Sequence, residues 1–161
     1  MSTPYSALDI SPLTGKIDPK SKKHCFCIRV YLSETDAGGV VYHTAYLTYA
    51  ERARTEYLSL LGISHAHLMT HPLSPCFFVV REATISFVKS AHLGETLTIY
   101  THFIKTTKVR LVLEPEIYHA DTLIAQLHIT LACVKKSGHP IKIPLSVTSA
   151  LEQSRCLEES L

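Results

Sequence analysis

The groups best able to do chemistry sit together in TDAGGVVYHTAYL, residues 35–47 of the 161-residue chain. Asp36 supplies a carboxylate, Gly38 and Gly39 supply backbone freedom, and His43 supplies an imidazole. Two adjacent glycines let the backbone take positive φ or approach another group closely. VVYH then runs into a helix-like segment. The first turn of a helix leaves backbone N–H groups unpaired, and its dipole favours negative charge. A carboxylate beside such a helix end has the parts for acyl transfer: a nucleophile or base, and donors for an oxyanion. A plainer reading stands beside this one. Asp favours turns and helix entries, and His43 would then cap or pack at the helix start.

Other chemistries find little support. There is no G-x-x-x-x-G-K-[ST] and no G-x-G-x-x-G for phosphates. No serine lies in a G-x-S-x-G elbow, and no cysteine sits in a nucleophile signature. The ten histidines form no metal-ligand pair around Asp36, so no metal site is expected. Glu51 is a second candidate acid. It falls roughly 12 Å beyond His43 along a helix, too far to cooperate directly with Asp36. Pairs such as Glu51 with Arg54 and Arg52 with Glu56 stand at ion-pairing spacings, which favours a structural role. The five cysteines are Cys25, Cys27, Cys76, Cys133 and Cys156. Cys25 and Cys27 would share one face of a strand, and reduced, buried or half-buried thiols are expected for the set.

These candidates need elements to hold them. HCFCIRVYLS, residues 24–33, is rich in β-formers and reads as a strand. From residue 44 to 61 there is no Gly or Pro, and Gly62 follows as a stop. Tyr46, Ala50, Ala53, Tyr57 and Leu61 recur at helical spacing, with polar residues confined to a narrow stripe. Such a helix should be buried on several sides and form the centre of the domain. A short helix around 63–70 fits the turn-rich stretch after it. Strands are expected over 76–90, 95–106, 108–120 and 122–136, joined by short hairpins or meanders. SALE, residues 149–152, resembles a capping box and suggests a short C-terminal helix. The sum is an α+β domain: a long central helix wrapped by a five-stranded antiparallel sheet. The expected organisation is an N-terminal arm over 1–22, the folded domain over 23–146 and a tail over 147–161.

Composition narrows the classes. A chain of 161 residues with 46% hydrophobic and 19% charged residues suits one globular domain. A net charge of +2 with scattered basic residues argues against nucleic acid. The N-terminus lacks the apolar core of a signal peptide, and no apolar run is long enough to span a membrane. With reduced thiols, the expected location is the cytoplasm.

TDAGGVVYHTAYLTYAERARTEYL resembles the signature of hotdog-fold acyl-CoA thioesterases of the 4-hydroxybenzoyl-CoA thioesterase-like family. It is most similar to the branch associated with the bacterial Tol-Pal system. The resemblance is dense over residues 29–61 and looser to about residue 144, through FFVVREATISFVKSAHLGETL. It implies a helix wrapped by an antiparallel sheet, and dimers whose sheets join, paired further into homotetramers with sites at subunit interfaces. It implies hydrolysis of an acyl-coenzyme A, with no cofactor beyond the coenzyme A of the substrate, in lipid metabolism. Carried over, Asp36 is the catalytic carboxylate, with the His43 side chain also in the site and the backbone N–H near it polarising the thioester carbonyl. Gly39, Val40, Val41, Tyr42 and Tyr46 would bind substrate, with Arg81, Lys89 and Arg110 as candidates for the coenzyme A phosphates. Acyl carrier protein is an alternative donor, and a peripheral position at the inner membrane is also implied. The competing reading is a non-catalytic acyl-CoA or acyl-carrier-protein binder, or a scaffold of envelope lipid metabolism.

Overall fold

A computed structural model describes residues 15–21 and 23–159, with side chains to residue 155. Most of the expected arm, residues 1–14, and the Cys156 thiol lie outside the described residues. In chain order the elements are β1 (Lys16–Ile17), β2 (His24–Arg29), α1 (Ala45–Leu60), α2 (His65–Met69), β3 (Phe77–Phe87), β4 (Thr96–Thr106), β5 (Arg110–His119), β6 (Thr122–Val134) and α3 (Leu145–Glu159). The strands form one antiparallel sheet in the order β1-β2-β4-β5-β6-β3, with α1 against its inner face.

The helix-and-sheet plan agrees with the reading of the sequence. The strand count rises to six because Lys16 and Ile17, inside the stretch read as an arm, pair with Cys25 and His24. The C-terminal helix is longer than expected and starts at Leu145, directly after Pro144, so Ser149 lies inside it and caps nothing. Among the described residues no helix is long and apolar enough to cross a membrane.

Alternation along the strands sets the core. On β4, Leu97, Ile99, Thr101 and Phe103 are buried while the residues between them are partly exposed. From β5 and β6 come Leu111, Leu113, Ile117, Leu127, Ile129 and Leu131. Helix α1 meets this surface with Tyr46, Tyr49, Ala50, Ala53, Arg54, Tyr57 and Leu58. Its other face carries Thr48, Glu51, Arg52 and Ser59 to solvent, and Leu47 and Leu60 are each 38% exposed. The helix is therefore buried on one side of a single chain, not on several. Its all-round apolar character includes residues that this chain leaves uncovered.

A second departure positions the site. The segment between β3 and β4 is no hairpin, because β3 pairs with β6 at the far edge of the sheet. Residues 88–95 instead cross one end of the sheet, past β6 and β5, and pass the start of α1. Val88 and Lys89 donate to Ile124 O at 2.8 and 3.1 Å, and Ala91 O accepts from Val41 N–H at 2.9 Å.

The thiols depart in part. Cys25, Cys76 and Cys133 are buried, and burial pushes the Cys25 thiol up to about 11. Cys27 shares the outer face of β2 with Cys25 but is exposed, because only Cys25 has Tyr100 and the β1 segment beside it.

Candidate active site

The chain enters α1 through two linked turns. After β2, a single 3-10 turn at Leu32–Glu34 carries Glu34 into the interior at 8% exposure. Glu34 Oε2 accepts from the Tyr49 hydroxyl at 3.0 Å and from Tyr31 N–H at 3.0 Å. Its Oε1 accepts from Arg52 Nη1 at 3.1 Å. One carboxylate thus ties the entry loop to the body of the helix. Burial, and then the hydrogen bond to Glu34 and its charge, hold the Tyr49 phenol well above its usual range.

Asp36 closes the next turn and is exposed. Its Oδ1 accepts from Gly38 N–H at 2.8 Å and Val40 N–H at 3.2 Å, and its own N–H donates to Val40 O at 2.9 Å. The two glycines serve different ends. Gly39 has φ +74°, where an L side chain is strained, while a Cβ on Gly38 would lie 3.2 Å from Asp36 Oδ1. Asp36 Oδ2 makes no hydrogen bond to a described residue, which leaves it to a substrate or water.

Residues 39–41 are then held from the other side. Gly39 O accepts from Leu93 N–H at 3.0 Å, and Val40 forms an antiparallel bridge with His92. Helix α1 starts from Thr44, whose side chain makes no cap bond. Ala45 N–H donates to Tyr42 O, and among the described residues the N–H groups of His43 and Thr44 have no acceptor. They are the unpaired donors that a helix start offers to an anion.

A cleft of about 320 Å³ opens at this helix end. Val40, Val41, His43 and Tyr46 form one wall, and Phe87, Val88, Lys89 and Ser90 from the crossing segment form the other. Tyr46 is nearly buried, stacks edge-on to Phe87 with ring centroids 5.5 Å apart, and accepts from Ala91 N–H at 3.4 Å. Burial raises its phenol above the usual range.

The structure thus brings Val40, Val41, His43, Tyr46 and Lys89 to one cleft, beside the turn that holds Asp36 and Gly39. Tyr42 turns away, its hydroxyl donating to Ser33 O at 3.3 Å. Arg81 occupies a register shift on the edge strand β3, roughly 20 Å along the strand from Phe87 at about 3.3 Å per residue. Arg110 opens β5 opposite Ala132, also toward the far end of the sheet. Glu51 lies on the exposed side of α1, away from the turn. The sequence reading did not single out Glu34, Phe87, Val88 or Ser90. Phe87, Val88 and Ser90 have no chemistry of their own to mark them within the looser part of the resemblance, and the crossover brings them to the helix end.

The fold defines a class first: an α+β hotdog domain, a helix wrapped by one antiparallel sheet. Comparison with known proteins gives the family. Residues 38–125 match the model of the thioesterase superfamily. The chain is 35% identical over 128 residues to the acyl-CoA thioester hydrolase YbgC of Escherichia coli O6:H1, covering 78% of this chain and 93% of that protein. It is 32% identical over 126 residues to the acyl-CoA thioesterase YbgC of Haemophilus influenzae, covering 78% and 91%. Among solved structures, a probable thioesterase from Bartonella henselae superposes with a TM-score of 0.73 at 33% identity, over 76% of this chain and 99% of that one. A DHNA-CoA thioesterase from Staphylococcus aureus gives a TM-score of 0.76 at 26% identity, over 84% and 92%. The chain belongs to the thioesterase superfamily.

Proposed function

We propose that the chain hydrolyses the thioester of an acyl-coenzyme A to the free acid and coenzyme A, with Asp36 as nucleophile or general base. The observation that carries this reading is the cleft at the start of α1, where unpaired backbone donors, His43 and the Asp36 turn adjoin. The thioester carbonyl would lie with its oxygen toward the N–H groups of His43 and Thr44. As base, Asp36 takes a proton from water while the water oxygen bonds to the carbonyl carbon. As nucleophile, its own oxygen forms that bond and water later hydrolyses the anhydride. In both routes the negative charge gathers on the carbonyl oxygen, where a fixed donor is worth roughly 3–4 kcal/mol. Collapse breaks the C–S bond and releases a thiolate. A thiol is acidic enough that no strong general acid is needed, which suits a cleft lined by Lys89 and Ser90. His43 would contact the substrate or the attacking water.

The active form is a homo-oligomer in this reading. Strand β3 is a sheet edge with Val79 44% and Val80 54% exposed. Two such edges related by a two-fold axis run antiparallel. The end of the sheet that carries Arg110 would then lie beside the partner's Phe87 to Ser90 end. That arrangement gives the remote basic residues a place near coenzyme A phosphates.

One observation favours the non-catalytic alternative. Asp36 already has a structural task, since its Oδ1 closes its own turn. Release of free thiol from a panel of acyl-coenzyme A and acyl-carrier-protein thioesters decides between the two. Turnover by the wild type with a loss of at least 100-fold in Asp36→Asn is expected. Equal rates in both proteins would remove Asp36 from the chemistry, and no turnover on any substrate would leave a binding protein.

A further inference from the structure

The clamp on residues 39–41 is bonded in turn to a group outside the cleft. Residues 91–93 grip that segment through two hydrogen bonds, Val41 N–H to Ala91 O and Leu93 N–H to Gly39 O, which together make the Val40 to His92 bridge. Glu95 is bonded back to His92, in the middle of residues 91–93. Its Oε2 accepts from His92 N–H at 3.0 Å, and its own N–H donates to His92 O at 3.2 Å. Its Oε1 lies 3.4 Å from His92 Nδ1 and 3.6 Å from Nδ1 of His119, which reaches over from the end of β5. The main chain at Glu95 is fixed in turn, since Glu95 O accepts from Val30 N–H at 2.9 Å and Val30 O accepts from Gly94 N–H at 3.0 Å. Val30 is 1% exposed and belongs to the core. The Glu95 side chain is only 23% exposed, and both its oxygens face protein groups.

A carboxylate that merely ended a turn would need only the His92 N–H. This one also has the His119 ring of β5 within 3.6 Å of its Oε1, and the turn it belongs to holds the backbone of the cleft wall. We propose that Glu95 is a positioning residue: it fixes residues 91–93, and through them the geometry of residues 39–41 and the donors at the start of α1. This rests on the reading of that helix end as the thioesterase site. Glu95 touches no substrate in this scheme, so its loss should lower turnover more than substrate affinity. Glutamine keeps an oxygen for the His92 N–H and should restore part of the function.

The test combines kinetics with backbone hydrogen exchange on the full-length protein. Glu95→Ala is expected to lower kcat about tenfold or more with KM within about twofold, and Glu95→Gln to recover at least half of that loss on a logarithmic scale. The Val41 and Leu93 amides should exchange at least tenfold faster in Glu95→Ala, with the β5 and β6 amides unchanged. If the alanine variant does not fold, the glutamine variant carries the test, with an intermediate rise in exchange expected at the same two amides. Unchanged exchange at Val41 and Leu93 would overturn the proposal, as would a general rise across the sheet or a kcat equal to wild type. Failure of the underlying reading looks different: Asp36→Asn would turn over like wild type, while the exchange data would still judge Glu95.

Discussion

Asp36 and its two glycines show how much a single residue has to do at this turn. The carboxylate must close the turn with Oδ1 and present Oδ2 outward, and each glycine guards one of these conditions. Gly39→Ala has no steric neighbour within 4 Å, so its cost is the backbone strain at φ +74°. That strain is worth roughly 1–2 kcal/mol, visible as a lowered midpoint in urea unfolding. Gly38→Ala is different: its Cβ would press on Asp36 Oδ1, which lies at the end of a movable side chain. Stability should fall by less than about 1 kcal/mol, while thiol release drops tenfold or more as the carboxylate swings away. Similar effects of the two substitutions on both measurements would show that the turn does not hold the carboxylate proposed for catalysis. His43→Ala should reduce turnover less than Asp36→Asn, and an unchanged rate would return His43 to a packing role. The glycine pair and the helix start were legible in the sequence because turn chemistry is local. Glu34 was not, because its partners Tyr49 and Arg52 stand 15 and 18 residues away and no short spacing announces them.

Among the elements, α1 was the most legible and also the most over-read. Its period, its stop at Gly62 and its contact face all follow from the sequence. Its exposed face does not, since a helix rich in Ala, Leu and Tyr reads as apolar all round whether or not one chain covers it. The order β1-β2-β4-β5-β6-β3 was also beyond sequence reasoning. Hairpin-like loops suggest that neighbours in the chain pair, yet 88–95 proves to be a crossover, and the second wall of the cleft depends on it. The tie between the entry loop and α1 can be tested at Tyr49. In Tyr49→Phe, Glu34 Oε2 keeps the Tyr31 N–H but loses a buried hydroxyl donor. The expected cost is about 1 kcal/mol, read as a shifted denaturation midpoint at constant m-value. Glu34→Ala should cost more, because it strands the Tyr49 hydroxyl at 0% exposure without a partner. If the two variants were equally stable, the Glu34 contact would not be what holds the loop.

At the scale of the molecule, two properties belong to no single element. The first is pH sensitivity. Burial, and then the charge of Arg54, hold the His65 imidazole below its ordinary value; burial and then Lys23 do the same for His102. The unfolded chain therefore takes up protons that the folded protein refuses, and stability falls as pH drops below about 6.5. Glu116 acts in a lower window. Burial pushes it up, but the Lys23 hydrogen bond and charge outweigh this and leave it lowered, so its contribution is lost only as pH falls below about 4.5. The melting temperature should decline from pH 7 to pH 5, with a shallower slope in His102→Gln; identical slopes would mean that His102 is not buried in solution. The second property is the open edge at β3. An eleven-residue strand with unpaired backbone groups and exposed valines is a surface that proteins normally cover or blunt. The register shift at Arg81 blunts its middle, yet Phe87 and Val88, 54% and 53% exposed, extend the apolar edge to the cleft itself. A second copy would cover both at once. The wild type should therefore elute larger than a monomer. Val80→Lys, which sets a charge on the edge away from the cleft wall, should elute as a monomer that keeps its melting cooperativity but loses thiol release. Full activity in that monomer would show that one chain carries a complete site, and that the exposed edge serves something other than catalysis.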